Sequence, residues 1–255
     1  MRISPLLGLG LLTVSLAGCN SGPAGTGRLT FQLAGRGSAA TAPSFAAGAD
    51  VLTLSSVEVV ARKIRLERAN KTCPVEQADA PAASGPSGSD GNGKSGGGNS
   101  ECADLWLEPR ILNPPVGPNA QTAFTVDLPE GIYKELKMQV HTPVGGTEGG
   151  GFLEAHPEFA GISIKVTGTF NGAPFTFTTA VTAEVEIELD TPVEVTAGKP
   201  AAMTLQIDLG TWFAGAAGAI LNPTAPSQQV RSQIEQNIRR SFHAFEDEDR
   251  NGDPD

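Results

Sequence analysis

The sequence predicts a mainly β protein: an antiparallel β-sandwich of Greek-key or transthyretin-like type with one C-terminal amphipathic helix. Three observations predict it. Apolar and polar residues alternate along many short segments, Gly, Pro and Asn punctuate those segments, and no helix-period stretch separates one from the next. Alternation gives each strand one face for a core and one for water, as in antiparallel sheets packed face to face. A parallel βαβ sheet needs helices between its strands, so the pattern argues against it. A closed barrel is the fallback.

The segments follow in order. "GRLTFQLAG" puts Leu29, Phe31 and Leu33 on one face. "SSVEVVARKIRLERA" offers Val57 and Val59, then changes phase near Arg62-Lys63 before Ile64 and Leu66, which predicts a bulge. "TAFTVDL" aligns Phe124, Val126 and Leu128, and "YKELKMQVH" aligns Leu136, Met138 and Val140. In "ISIKVTGTFNGAPFTFTTAV", Ile162, Ile164 and Val166 precede Asn171-Gly172, with Phe175 and Phe177 after it. Asn-Gly between alternating runs signals a hairpin because both residues tolerate positive φ, with Ala173-Pro174 expected to lengthen the connection. "AEVEIELD" buries Val185, Ile187 and Leu189, and "AAMTLQIDL" buries Met203, Leu205 and Ile207. The predicted helix spans 223–246, where Val230, Ile234, Ile238 and Phe242 recur at i+4 and Phe245 follows. Ser227 or Thr224 caps its start, and docking on the sandwich is the expected use of its apolar stripe.

A chain of 255 residues is long enough for one substantial core, and this gives one sandwich domain over 27–222. The net charge of −10, from 18 Lys and Arg against 28 Asp and Glu, opposes binding to phosphate backbones, so no nucleic-acid partner is expected.

The first residues, "MRISPLLGLGLLTVSLAGC", carry one positive charge, a short apolar stretch and small residues before Cys19. The stretch is shorter than the roughly 20 apolar residues of a membrane span and suits a cleaved export signal over 1–18. Leu16-Ala17-Gly18-Cys19 resembles the lipobox of bacterial lipoproteins. That resemblance implies cleavage before Cys19, a diacylglycerol thioether on it and acylation of the new amino terminus. Residues 19–26 would then form a lipidated tether, and several acyl chains give stable anchoring. Asn20 stands where Asp would resemble an inner-membrane retention signal, so the expected location is the outer membrane.

Cys73 and Cys102 bracket a Gly/Ser/Pro-rich insert, 74–101, that has few apolar side chains to offset its ordering entropy. In an exported protein such a pair predicts a disulfide at the base of the insert, with two thiols or a metal pair as alternatives. Closing a loop of that length contributes roughly 3–4 kcal/mol on a chain-entropy account.

No assembled catalytic motif stands out. The histidines His141, His156 and His243 are scattered, although "EAHPEF" sets Glu154 and Glu158 around His156. A zinc site built on His141 and His156 lacks any supporting spacing, and solvated loop residues are the plainer reading. Glu184, Glu186, Glu188 and Asp190 form an acidic ladder on one strand face, expected to be solvated and to discourage edge pairing. Trp106, Tyr133 and Trp212 form either a carbohydrate platform or core packing.

The closing "DEDRNGDPD" has a spacing with a mechanism. Calcium loops place oxygen donors at alternate positions and glycine at the sixth, where the chain turns sharply. Asp247, Asp249 and Asn251 fit positions one, three and five, Gly252 fits six, Asp253 would lend its carbonyl and Asp255 falls at nine. The pattern resembles the short Asp-x-Asp-x-Asn-Gly-x-x-Asp calcium repeats of extracellular proteins, without the bidentate Glu at twelve. The other reading is a frayed, solvated acidic tail over 247–255, with Asn251-Gly252 as a helix stop.

The lipobox, "LTLSSVEVVARKIRLERA", "LPEGIYKELKMQV" and "FTFTTAVTAEVEIELDTPVEV" together resemble a family of small β-sandwich lipoproteins of bacteria whose function is unknown. The expected function is non-catalytic: a lipid-anchored envelope module that binds a protein or glycan ligand or supports structure, with Ca2+ as its one candidate cofactor. The alternatives are a fimbria-like assembly subunit that donates a strand from 20–50, and a metal-dependent hydrolase around His141 and His156.

Overall fold

A computed structural model describes residues 25–36, 44–69, 103–104, 109–117, 119–145, 151–250, 252 and 254. Among these, the strands are β1 (Thr26–Arg36), β2 (Ser44–Ala47), β3 (Asp50–Arg68), β4 (Ala103–Asp104), β5 (Arg110–Leu112), β6 (Gln121–Pro129), β7 (Gly131–Val140), β8 (Ile164–Phe170), β9 (Ala173–Thr179), β10 (Ala183–Val195), β11 (Pro200–Asp208) and β12 (Phe242–Glu246). Three α-helices, α1 (Phe152–Ala155), α2 (Leu209–Trp212) and α3 (Gln228–Arg239), complete them.

The strands form two sheets, as the alternation predicts. A four-stranded sheet runs β12-β11-β1-β6, and a larger one runs β10-β7-β3-β8-β9, with β2, β4 and β5 also paired to β3. Leu29, Phe31 and Leu33 of β1 and Met203, Leu205 and Ile207 of β11 join Val57, Val59, Leu136, Met138, Ile164 and Val166 of the larger sheet in one core. A second, smaller cluster joins Val60 of β3 to Phe152 and Phe159, which the short α1 and the 3-10 turn Pro157–Phe159 present.

The bulge in β3 lies where the phase changes: its register with β7 shifts between Arg62 and Arg65, and Lys63 takes φ 52. The Asn-Gly hairpin is tighter than expected. Asn171 (φ 52) and Gly172 (φ 80) make a two-residue turn, and Ala173 and Pro174 already pair with Phe170 and Thr169. Pro174 is tolerated because β9 is an edge strand, where a missing N–H interrupts no second ladder.

Two expectations are corrected. The sheets are not wholly antiparallel, because β1 runs parallel to β11 from Arg28↔Pro200 to Arg36↔Asp208. No crossover helix is needed, since the intervening chain builds β6 and the strands of the other sheet before β11 returns. The predicted 223–246 helix is also too long. Ser227 accepts the Val230 N–H at 3.3 Å and starts the helix, but the helix ends at Arg239. Residues Phe242–Glu246 form β12 instead, antiparallel to β11. Ladder bonds to β11 satisfy the backbone of "FHAFE", while Ile234 and Ile238 of α3 dock fully buried against the core.

Candidate metal site at the C-terminal turn

β11 is buried on both faces, which half-solvated alternation does not predict. Met203, Leu205 and Ile207 face the core, yet Ala202, Thr204 and Gln206 on the opposite face are buried too. The same holds for Thr30, Gln32 and Ala34 on β1. Phe245 of β12, opposite Thr204, is buried on that outer side as well. All these outward residues are uncharged, so the face can accept a covering segment without stranding an ion.

The turn after β12 is part of that cover. The Asp247 N–H reaches the Ala202 carbonyl at 3.4 Å, which continues the β11 contact past the end of β12. The chain then reverses, with the Arg250 N–H donating to the Asp247 carbonyl at 3.3 Å. Arg250 (φ 61) and Gly252 (φ 88) both lie in the left-handed region. Glycine suits position 252 because its φ is strained for other side chains, and an added Cβ would also press on the Ala120 Cβ at 3.2 Å.

This path buries the Asp247 side chain completely. Its Oδ2 accepts the Thr204 hydroxyl and, at 3.1 Å, the Gly252 N–H. Its Oδ1 is buried with no hydrogen-bond partner. Gln32, in register with Thr204 across the parallel ladder, likewise has a buried Nε2 without an acceptor, so the two groups do not satisfy one another. Beside the turn, Arg28, Thr30, Thr125, Asp127 and Arg250 line an open polar cleft of about 420 Å³, with Arg28 Nε 3.2 Å from Asp127 Oδ1.

The reading of 247–255 as a solvated tail is therefore corrected at its first residue: Asp247 is interior, whereas Glu248, Asp249 and Arg250 are exposed. Asn251, Asp253 and Asp255 lie outside the described residues, as do Cys19, Cys73, Cys102, Trp106 and the insert 74–101. Among the described residues, no three His, Cys, Asp or Glu side chains converge on a common metal position. That includes His141, whose Nδ1 lies 2.6 Å from the Thr142 carbonyl, and His156, whose ring is tilted against Phe152 with centroids 4.9 Å apart.

Tyr133 and Trp212 are fully buried, which removes them from any carbohydrate platform. The Tyr133 hydroxyl donates to the Pro129 carbonyl at 2.7 Å, and burial raises its pKa against the opposing effect of Arg68. The Trp212 Nε1–H donates to Ser241 Oγ at 2.7 Å, tying α2 to the corner between α3 and β12.

The acidic ladder lies on β10, an edge of the larger sheet. Lys137 on β7 neutralises part of the acidity there: its Nζ lies 3.4 Å from Glu67 and from Glu135 and 3.8 Å from Glu186. Burial alone would lower the Lys137 pKa, but Glu135 and then Glu186 and Glu67 outweigh it and hold the pKa above the usual lysine value. Glu135 is directly opposite Glu67 on β3 and Glu188 on β10. Desolvation first, then the hydrogen bond with Glu67, raises its pKa.

Thr204, Gln32, Ala34 and Ala120 are the site residues that motif reading misses. A signal for them exists in "AAMTLQIDL": its outward positions are Ala202, Thr204 and Gln206, where "AEVEIELD" has Glu184, Glu186 and Glu188. An uncharged outer face on an alternating strand marks a surface that something covers.

No protein-family model, curated protein or solved structure matches this chain.

Proposed function

We propose that the protein is a non-catalytic lipoprotein of the outer membrane, anchored through Cys19, that binds a protein or glycan ligand or supports structure at the envelope. The observation that carries this reading is the junction between anchor signal and fold. Leu16-Ala17-Gly18-Cys19 stands seven positions before Thr26, where β1 begins. Seven residues reach at most about 25 Å, so the anchor would hold the domain close to the bilayer. β1 is an interior strand between β11 and β6 and carries three core side chains, so a pull on the anchor loads two hydrogen-bonded ladders along their length. That suits a module that carries load or holds a ligand near a membrane. A Cys73–Cys102 disulfide would close the insert between β3 and β4 and belongs to the same exported state.

The test is metabolic labelling with palmitate, followed by membrane fractionation of wild type and Cys19→Ser. Label in wild type that is lost in Cys19→Ser, with release of protein from the membrane fraction, is the expected result. An unlabelled wild type, or a labelled Cys19→Ser, overturns the reading.

The interior position of β1 also favours a second reading, a fimbria-like subunit that exchanges its first strand between protomers. Concentration-dependent polymers would support it, and monomers at every concentration would exclude it.

A further inference from the structure

We propose that the C-terminal turn is a calcium site, in which the ion binds the inner oxygen Oδ1 of Asp247 together with the carboxylate of Asp249. This inference goes beyond the anchoring proposal and stands whether or not Cys19 carries lipid.

The carboxyl of Asp247 is the decisive group. It is fully buried, and buried carboxylates are ordinarily served on both oxygens, because desolvating an unpaired charge costs far more than desolvating a neutral group. Here two donors, Thr204 and Gly252, both reach Oδ2. Oδ1 has none. A packing role alone would not require a carboxylate: Asn would offer the same two donors one acceptor oxygen and carry no charge to desolvate. The acid is explained by a cation at Oδ1. Gly252, five residues on, donates to Oδ2, so this carboxyl takes part in closing the turn.

The choice of ion follows from the donors. Asp247 and Asp249 offer hard oxygens, and neither His nor Cys stands near them in the turn segment 246–255, which disfavours zinc and other soft or borderline metals. Calcium accepts irregular oxygen shells and carbonyl ligands, whereas magnesium demands near-octahedral geometry and keeps its water. Asn251, Asp253 and Asp255 continue the donor spacing but lie outside the described residues, and the proposal rests on Asp247 and Asp249.

The experiment uses the mature protein in detergent, stripped with EDTA. Calorimetric titration and thermal melts are run with CaCl2, with MgCl2 and with KCl at matched ionic strength. Saturable calcium binding with a Kd of about 0.1–1 mM is expected, as for extracellular modules, together with a rise in Tm that magnesium and potassium do not reproduce. Asp247→Asn should abolish the response. Because Asp247 is interior and that variant can fail to fold, Asp249→Asn at an exposed position decides: folded in EDTA by circular dichroism, it should bind calcium at least about tenfold more weakly than wild type. No saturable response up to about 10 mM calcium, an equal response to magnesium or potassium, or undiminished binding by Asp249→Asn overturns the proposal.

Discussion

Replacing Thr204 with Val tests whether Asp247 is held as described. Thr204 is fully buried, and its hydroxyl donates to Asp247 Oδ2. Val nearly matches Thr in shape, so the change opens no cavity and isolates the hydroxyl. It removes one of the two donors on a buried carboxyl and leaves the Gly252 N–H at 3.1 Å alone. A hydrogen bond to a charged group is worth roughly 1.5–3 kcal/mol, and stranding the acceptor in the interior pushes the loss toward the upper end. The expected destabilisation is about 2–3 kcal/mol, which for a domain of this size lowers Tm by about 5–10 °C. Urea unfolding followed by circular dichroism measures it. Thr125→Val serves as the control, at an exposed position on β6 where a β-branched apolar residue is close to neutral. A double-mutant cycle with Asp247→Ala should return a coupling of at least about 1 kcal/mol, as for groups in direct contact. A Thr204→Val loss below about 0.5 kcal/mol, the size of an ordinary surface substitution, would refute the burial of Asp247 against β11.

Two further outcomes are expected. Gly168→Ala would place a Cβ 2.1 Å from the Thr53 carbonyl oxygen, backbone against backbone across the β3–β8 ladder, so stability should fall by about 3 kcal/mol. An unchanged melting temperature would contradict that register. For Glu135 the sign follows from its raised pKa: its contribution is fully present below the ordinary glutamate value of 4.5 and is lost as pH rises through the higher folded-state value. The stability of wild type relative to Glu135→Gln, from urea titrations between about pH 3.5 and 8, should therefore fall with rising pH above 4.5. A difference that stays flat or grows with pH would contradict the burial of this carboxyl.

The strands were legible because the side-chain period of two is a local property. "AEVEIELD" and "AAMTLQIDL" each announce their core face without reference to any partner. What the sequence conceals is pairing. Phe242 stands four residues after Ile238, so it fits a helix stripe, and it also stands two before Ala244, so it fits a strand face. The free edge of β11 decides between them, and no window around Phe242 contains that edge. The parallel pairing of β1 with β11 is hidden for the same reason, since about 160 residues separate the two strands. At the C-terminal turn the donor spacing was visible, but the depth of Asp247 was not. Its carboxyl is held by Thr204, and the turn closes with Gly252 against Ala34 and Ala120; Thr204 and both alanines are distant in sequence.

The two outer faces of the sandwich differ in a way that bears on the role of the turn. The larger sheet carries ion pairs, Lys165 2.9 Å from Glu58 and Lys137 among three glutamates, beside the small apolar cluster around Val60. The smaller sheet instead buries Thr30, Gln32, Ala34, Ala202, Thr204 and Gln206. An uncharged face of this kind is soluble only while covered, so the turn from Asp247 to Gly252 belongs to the folded domain rather than hanging from it. A cation held at Asp247 would then act on the whole fold through linkage. An ion that binds only the folded state adds RT ln(1 + [Ca2+]/Kd), about 1.4 kcal/mol at ten times Kd. That gain is about half of the loss expected when Thr204 ceases to hold the carboxyl. Calcium and the Thr204 hydroxyl act on one carboxylate, so their effects should be coupled rather than additive. Calcium binding weakened in Thr204→Val would place the ion and the hydroxyl at the same group. Unaltered binding would separate them.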